Sequence, residues 1–167
     1  MESSRIAGSR AREALRSGGA LRLAALALGA IGAALLVMAE LSTIVTIDVL
    51  TTGTCEEIAA PDVRDACEVD GLEQHGGALI VLGVLALLMA VGAVRGASAP
   101  AALALIVIGA VVVALAVRDF TASDETGLVG ITFEQAEAGV DTGFYLELAG
   151  AGLCIAAGAL GLLRWGD

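Results

Sequence analysis

Four long stretches of this chain carry no charge at all. They are "LAALALGAIGAALLVMA" (Leu23 to Ala39), "GGALIVLGVLALLMAVGAV" (Gly76 to Val94), "AALALIVIGAVVVALAV" (Ala101 to Val117) and "LAGAGLCIAAGALGLL" (Leu148 to Leu163). A helix crosses a bilayer core of about 30 Å with about 17–25 apolar residues. The first three stretches reach that range, and the fourth does so once it is extended N-terminally by "GFYLE" (Gly143 to Glu147). Inside lipid, every backbone N–H and C=O must find a partner within the protein, which leaves helices and closed barrels. Barrel strands alternate apolar and polar residues, whereas these stretches are apolar on all sides. The chain is 57% hydrophobic, above the roughly 45–50% of soluble domains. One soluble core in 167 residues has no room to hide four such blocks. The sequence predicts an all-α membrane protein, a four-transmembrane-helix up-down bundle.

Arginine sets the expected orientation. There is no lysine; Arg5, Arg10, Arg12, Arg16, Arg22, Arg95 and Arg164 fall on one side of the four blocks, and Arg64 and Arg118 on the other. Cytoplasmic loops carry the excess of positive charge, so both termini are expected in the cytoplasm of a cell whose plasma membrane the chain crosses four times. An alternative makes the first block a signal peptide cut after "VMA", before Glu40, but its apolar run is longer than the usual signal core.

The expected organisation is a cytoplasmic basic arm over residues 1–19 and a single four-helix membrane domain over 20–167. Helices are expected at about 21–40 (or on to 50), 76–94, 100–118 and 142–164, with outer loops at 51–75 and 119–141. The first boundary is open because "LSTIVTIDVLTT" (Leu41 to Thr52) is rich in β-branched residues, which favour strand yet also occur in lipid-facing helix. If the helix stops at Glu40, the strand that follows is expected to pair with "GLVGITF" (Gly127 to Phe133) in a small two-stranded outer sheet. Asp141 or Thr142 suits the cap of the fourth helix. Ala25, Gly29 and Ala33, and again Gly150, Cys154 and Gly158, recur every four residues. Small residues at that spacing let helix backbones approach closely, within one chain or between copies.

"TCEEIAAPDVRDACE" (Thr54 to Glu68) poses the main chemical question. Cys55 and Cys67 in an outward loop face an oxidising compartment, so a disulfide between them is expected. A zinc site would need two more ligands, for which His75 and a carboxylate are the candidates, but the spacing matches no zinc pattern. No C-x-x-C is present, and Cys154 lies within a helix, where it reads as a small packing residue. The stretches from Thr51 to His75 and from Arg118 to Glu147 together hold fourteen acids against Arg64 and Arg118. Such a field repels nucleic acid, so no nucleic-acid partner is expected. No calcium-loop pattern, phosphate loop or nucleophile–base pair is present. The sequence therefore predicts no enzyme, no cofactor and no metal site. Ionisable residues near membrane depth are costly and often functional, which singles out Glu40 and Glu147. Seventeen apolar residues precede Glu40, which is about 25 Å of helix and places it at the outer boundary. Arg118 follows the third block and Glu147 precedes the fourth at the same level. A membrane-boundary ion cluster of Glu40, Arg118 and Glu147 is expected.

This layout of four helices, a short inner turn, inward termini and a cysteine pair in the first outer loop resembles that of claudin-like tetraspan proteins. The lysine-free, Ala/Gly/Arg-rich style resembles small four-helix integral membrane proteins of high-GC bacteria. The first likeness is of topology alone, since the tryptophan signature of that family's first outer loop is absent and Trp165 is at the C-terminus, and the second brings no activity with it. With no motif for a reaction, the chain is expected to have a structural or accessory, protein-interacting role in the bilayer, with a membrane protein partner or self-association through small-residue helix faces. Small four-helix exporters use one glutamate in the first helix, which Glu40 resembles although it sits at the outer boundary and not at the centre. That likeness implies the alternative, a proton- or cation-coupled transporter using Glu40.

Overall fold

The computed structural model describes residues 2–49, 68–95, 98–122 and 136–163. The first helix, α1 (Glu2–Glu40), includes the basic arm. It stops where the β-branched run begins. Leu41 N–H donates to Met38 O (3.2 Å) and Ser42 N–H to Ala39 O (3.1 Å), which tightens the last turn, and the Ser42 hydroxyl donates to Met38 O (2.7 Å). Strand β1 (Thr43–Val49) then leaves the helix axis. The open boundary is thus resolved at Glu40.

After β1 come β2 (Glu68–Asp70), a short helix α2 (Gly71–His75), α3 (Ala78–Arg95), α4 (Ser98–Ala122), β3 (Ala136–Val140) and α5 (Thr142–Leu163). Spans long and apolar enough to cross a membrane lie at Gly19–Glu40, Ala78–Arg95, Ala99–Thr121 and Thr142–Leu163. The chain folds as an all-α four-helix membrane protein. α1 packs on α3 and α5, and α4 packs on α3 and α5, so the four long helices close a ring in chain order. Outside the ring, Leu23, Val81, Leu88, Val107 and Val117 are all more than half exposed. A large apolar exterior of this kind suits lipid rather than water.

The core is built from small residues with a few larger ones between them. Leu36, Leu79, Leu105 and Val112 are at most 1% exposed and pack with Ala86, Ala90, Ala151 and Cys154. A Cβ added at Gly158 of α5 would lie 2.6 Å from Ala102 O and 2.7 Å from Ile106 Cγ1 of α4. One at Gly32 of α1 would lie 3.0 Å from both Gly150 O and Cys154 Sγ of α5. The stripes of small residues seen in the sequence therefore serve contacts within this chain. A shallow apolar groove opens sideways between α1 and α3, lined by residues including Ala30, Ala34, Gly83 and Leu87.

Among the described residues the sheet has three antiparallel strands in the order β2-β1-β3, rather than two. β1 sits in the centre. Its partners run from Thr43↔Asp70 to Thr46↔Glu68 on one side and from Val45↔Val140 to Val49↔Ala136 on the other. The expected partner strand at 127–133 lies outside the described residues, and Ala136–Val140 takes the edge of β1 over Val45–Val49. A register shift between Thr43 and Val45 breaks the alternation, as an extra residue in one strand does. As a result Ile44 and Val45, neighbours in sequence, are both buried. They pack with Ala116 and Phe144 and fix the sheet across the ends of α4 and α5.

Candidate functional site

Under the sheet, the helix ends bring together four ionisable side chains from four segments. Glu40 is the last residue of α1, His75 the last of α2, Asp119 lies in the last turn of α4, and Glu147 in the second turn of α5. Glu40, Asp119 and Glu147 are 0%, 2% and 0% exposed.

Each is placed there for a local reason. α2 is docked by Gly71, whose N–H donates to Ser42 O (3.0 Å). A Cβ at Gly71 would lie 2.7 Å from both Ala39 O and Glu40 Cα, so only glycine permits this approach. The short helix ends at Gly76, which has φ 62° and whose N–H donates to Leu72 O (2.9 Å). Gly77 follows with φ 90°. Two successive left-handed residues, free of strain because they are glycine, turn the chain from α2 directly into α3. That turn brings the start of α3 to the end of α1. Glu40 accepts hydrogen bonds from Gly77 N–H through Oε1 and from Leu79 N–H (3.0 Å) through Oε2. A carboxylate is favoured there because the first N–H groups of a helix have no intrahelical partner and the N-terminus is the positive end of its dipole. Glu40 is thus a cap supplied by one helix to another.

The other three groups are less well served. His75 Nε2 lies 3.3 Å from Asp119 Oδ2 and 3.9 Å from Glu147 Oε2. Gln74 Nε2–H donates to the other Asp119 oxygen, Oδ1 (2.9 Å). Among the described residues, His75 Nε2, Asp119 Oδ2 and both Glu147 oxygens have no hydrogen-bond partner. Glu40 and Asp119 are both near enough to Glu147 for charge repulsion. Among the described residues no arginine joins these three carboxylates and one imidazole, an unbalanced set, since a buried charge is stable only when paired. The chemistry open to such a set is the holding of protons or of a cation.

The expected cluster is therefore changed in membership. Glu40 and Glu147 do meet at one end of the bundle, but Arg118 is exposed. Among the described residues it forms no ion pair with either acid. The face of α4 turned inward carries Val112, Ala116 and Asp119, the i, i+4, i+7 spacing of one helix face. Arg118, one residue away, is rotated out of it. Asp119 was missed because the third block is apolar on all sides, so its inward face has no signature in hydropathy. His75 was visible as a boundary histidine, but its partners come from α4 and α5, far along the chain. The set His75, Asp119 and Glu147 also has the makeup of a metal donor group, which no spacing in the sequence indicated. Cys55 and Cys67 lie outside the described residues. Among the described residues no disulfide is present, and Cys154 is a free, buried thiol that packs against Gly32. Asp141 precedes α5 as expected of a cap, and its Oδ1 accepts from the Thr142 N–H and hydroxyl.

Comparison with protein families, curated proteins and solved structures finds no match for the chain.

Proposed function

We propose that this integral membrane protein has a structural or accessory role without catalysis. Its sheet-bearing end faces outward from the plasma membrane, and both termini are cytoplasmic. The observation that supports the role best is the state of Glu40. Both its oxygens are engaged by backbone N–H groups of α3 at full burial, so the acid acts as a staple between helices. The arginine distribution supports the orientation, and the lipid bilayer together with a membrane protein, another or a second copy, would be its partners. The test is flux in liposomes. Purified wild type should carry no proton- or cation-linked flux, and Glu40→Gln should change stability alone. Flux by the wild type that is lost in Glu40→Gln would overturn the reading.

One observation favours a second reading. Glu147, buried with no hydrogen bond to either oxygen among the described residues, has the character of a coupling residue in a transporter. A small cation- or proton-coupled transporter would then use Glu147 rather than Glu40. Wild-type flux abolished by Glu147→Gln and retained in Glu40→Gln would select it.

A further inference from the structure

The unpartnered atoms beneath the sheet converge on one point. One donor atom from each of His75, Asp119 and Glu147 lies within 4.8 Å of the other two. The His75 side chain is 4% exposed, that of Asp119 3% and that of Glu147 0%. We propose that these three residues bind one divalent transition-metal cation of the zinc type, which ties α2, α4 and α5 together at the sheet-bearing end.

Three independent features carry this. The first is distance. A tetrahedral ion with bonds of about 2.0–2.1 Å holds its ligand atoms about 3.3–3.4 Å apart. His75 Nε2 and Asp119 Oδ2 are already 3.3 Å apart, and Nε2 and Glu147 Oε2 are 3.9 Å apart. Half an ångström of side-chain adjustment completes that edge. The second is charge. A divalent cation offsets the two carboxylates that would bind it beside a neutral imidazole, while the Glu40 carboxylate is met separately by the Gly77 and Leu79 N–H groups. Among the described residues, no arginine side chain is one of the groups that meet there. The third is orientation. Gln74 holds Asp119 by Oδ1 (2.9 Å) and leaves Oδ2 turned to the histidine, as outer partners orient a metal-binding carboxylate. The imidazole selects against calcium and magnesium, which take oxygen ligands. Glu40 is not a ligand in this arrangement, because its oxygens are used by α3, and a water molecule would complete the coordination.

The test uses full-length protein in mild detergent, stripped with a chelator and titrated with Co2+ and then Zn2+. One Co2+ per chain is expected, with the visible absorption of a four-coordinate ion, displaced by Zn2+ and accompanied by a raised melting temperature. His75→Gln and Glu147→Gln should each weaken binding by on the order of 100-fold or more, as loss of a ligand exceeds loss of an outer partner. Gln74→Ala removes no ligand, so its folding is not at stake. It should weaken binding by about 10–100-fold. Absence of a four-coordinate spectrum in the wild type would overturn the proposal and leave a cluster that holds protons only. Binding unchanged in His75→Gln would also overturn it, by assigning the ion to exposed acids elsewhere. No flux is measured, so failure here is separate from failure of the accessory role.

Discussion

Glu40→Ala is the substitution whose cost can be worked most directly. The carboxylate serves two backbone donors at the start of α3, Gly77 N–H and Leu79 N–H. A hydrogen bond to a charged group contributes about 1.5–3 kcal/mol. Two such bonds therefore give a gross loss of about 3–6 kcal/mol, increased by the desolvation cost of the stranded N–H groups. Removing a buried carboxylate recovers part of its own desolvation, which leaves a net loss of about 2–4 kcal/mol. In a domain of this size each kcal/mol moves the midpoint by about 2–4 °C. The expected fall in Tm is therefore about 5–15 °C, read by circular dichroism at 222 nm in mild detergent. Glu40→Gln keeps one acceptor but turns its amide N–H2 toward the second donor, so it should lie between Glu40→Ala and wild type. Glu73→Gln, an exposed acid in α2, serves as the control and should stay within about 0.5 kcal/mol. If Glu40→Ala melts within about 2 °C of wild type, the staple contributes nothing and the argument fails.

Two further outcomes follow from the helix contacts and the charge asymmetry. Gly158→Ala places a methyl 2.6 Å from Ala102 O and should cost about 1–3 kcal/mol through displacement of α4. Gly152→Ala meets nothing within 4 Å and should be neutral or stabilise by up to about 1 kcal/mol; equal melting of the two variants would contradict the packing argument. For orientation, a cysteine introduced at Ser123 in a background with the native cysteines replaced by serine should react with an impermeant maleimide on intact cells. Labelling only after lysis would reverse the topology.

The spans could be read from the sequence because each depends on a local property, an uncharged run of sufficient length. Glu40 as the end of α1 was legible in part, since the β-branched run after it competes with helix. The strands were harder. "EVD" and "AEAGV" have little intrinsic strand character, and they are ordered because β1 offers both of its edges. The sheet is thus a tertiary product of a single good strand. The site divides in the same way. Glu40 and Glu147 were conspicuous as acids beside apolar blocks, whereas the exchange of Arg118 for Asp119 depends on how α4 rotates against α5. That rotation is set by small-residue contacts such as Gly158 with Ala102, and in an all-round apolar helix the sequence holds no mark of which side faces in.

The cap that α1 gives α3 also bears on the order in which this protein is made. Glu40 finds both of its donors at the entry to the second span, Gly77 and Leu79, so its carboxylate is engaged once that span has emerged from the ribosome and entered the bilayer. The first helical hairpin then holds its Glu40 staple, while Gln74 and His75 still await Asp119. Asp119 and Glu147 arrive with the third and fourth spans and meet His75 only at the end of synthesis. The staple between the first two spans therefore forms before the acids of the last two spans reach His75.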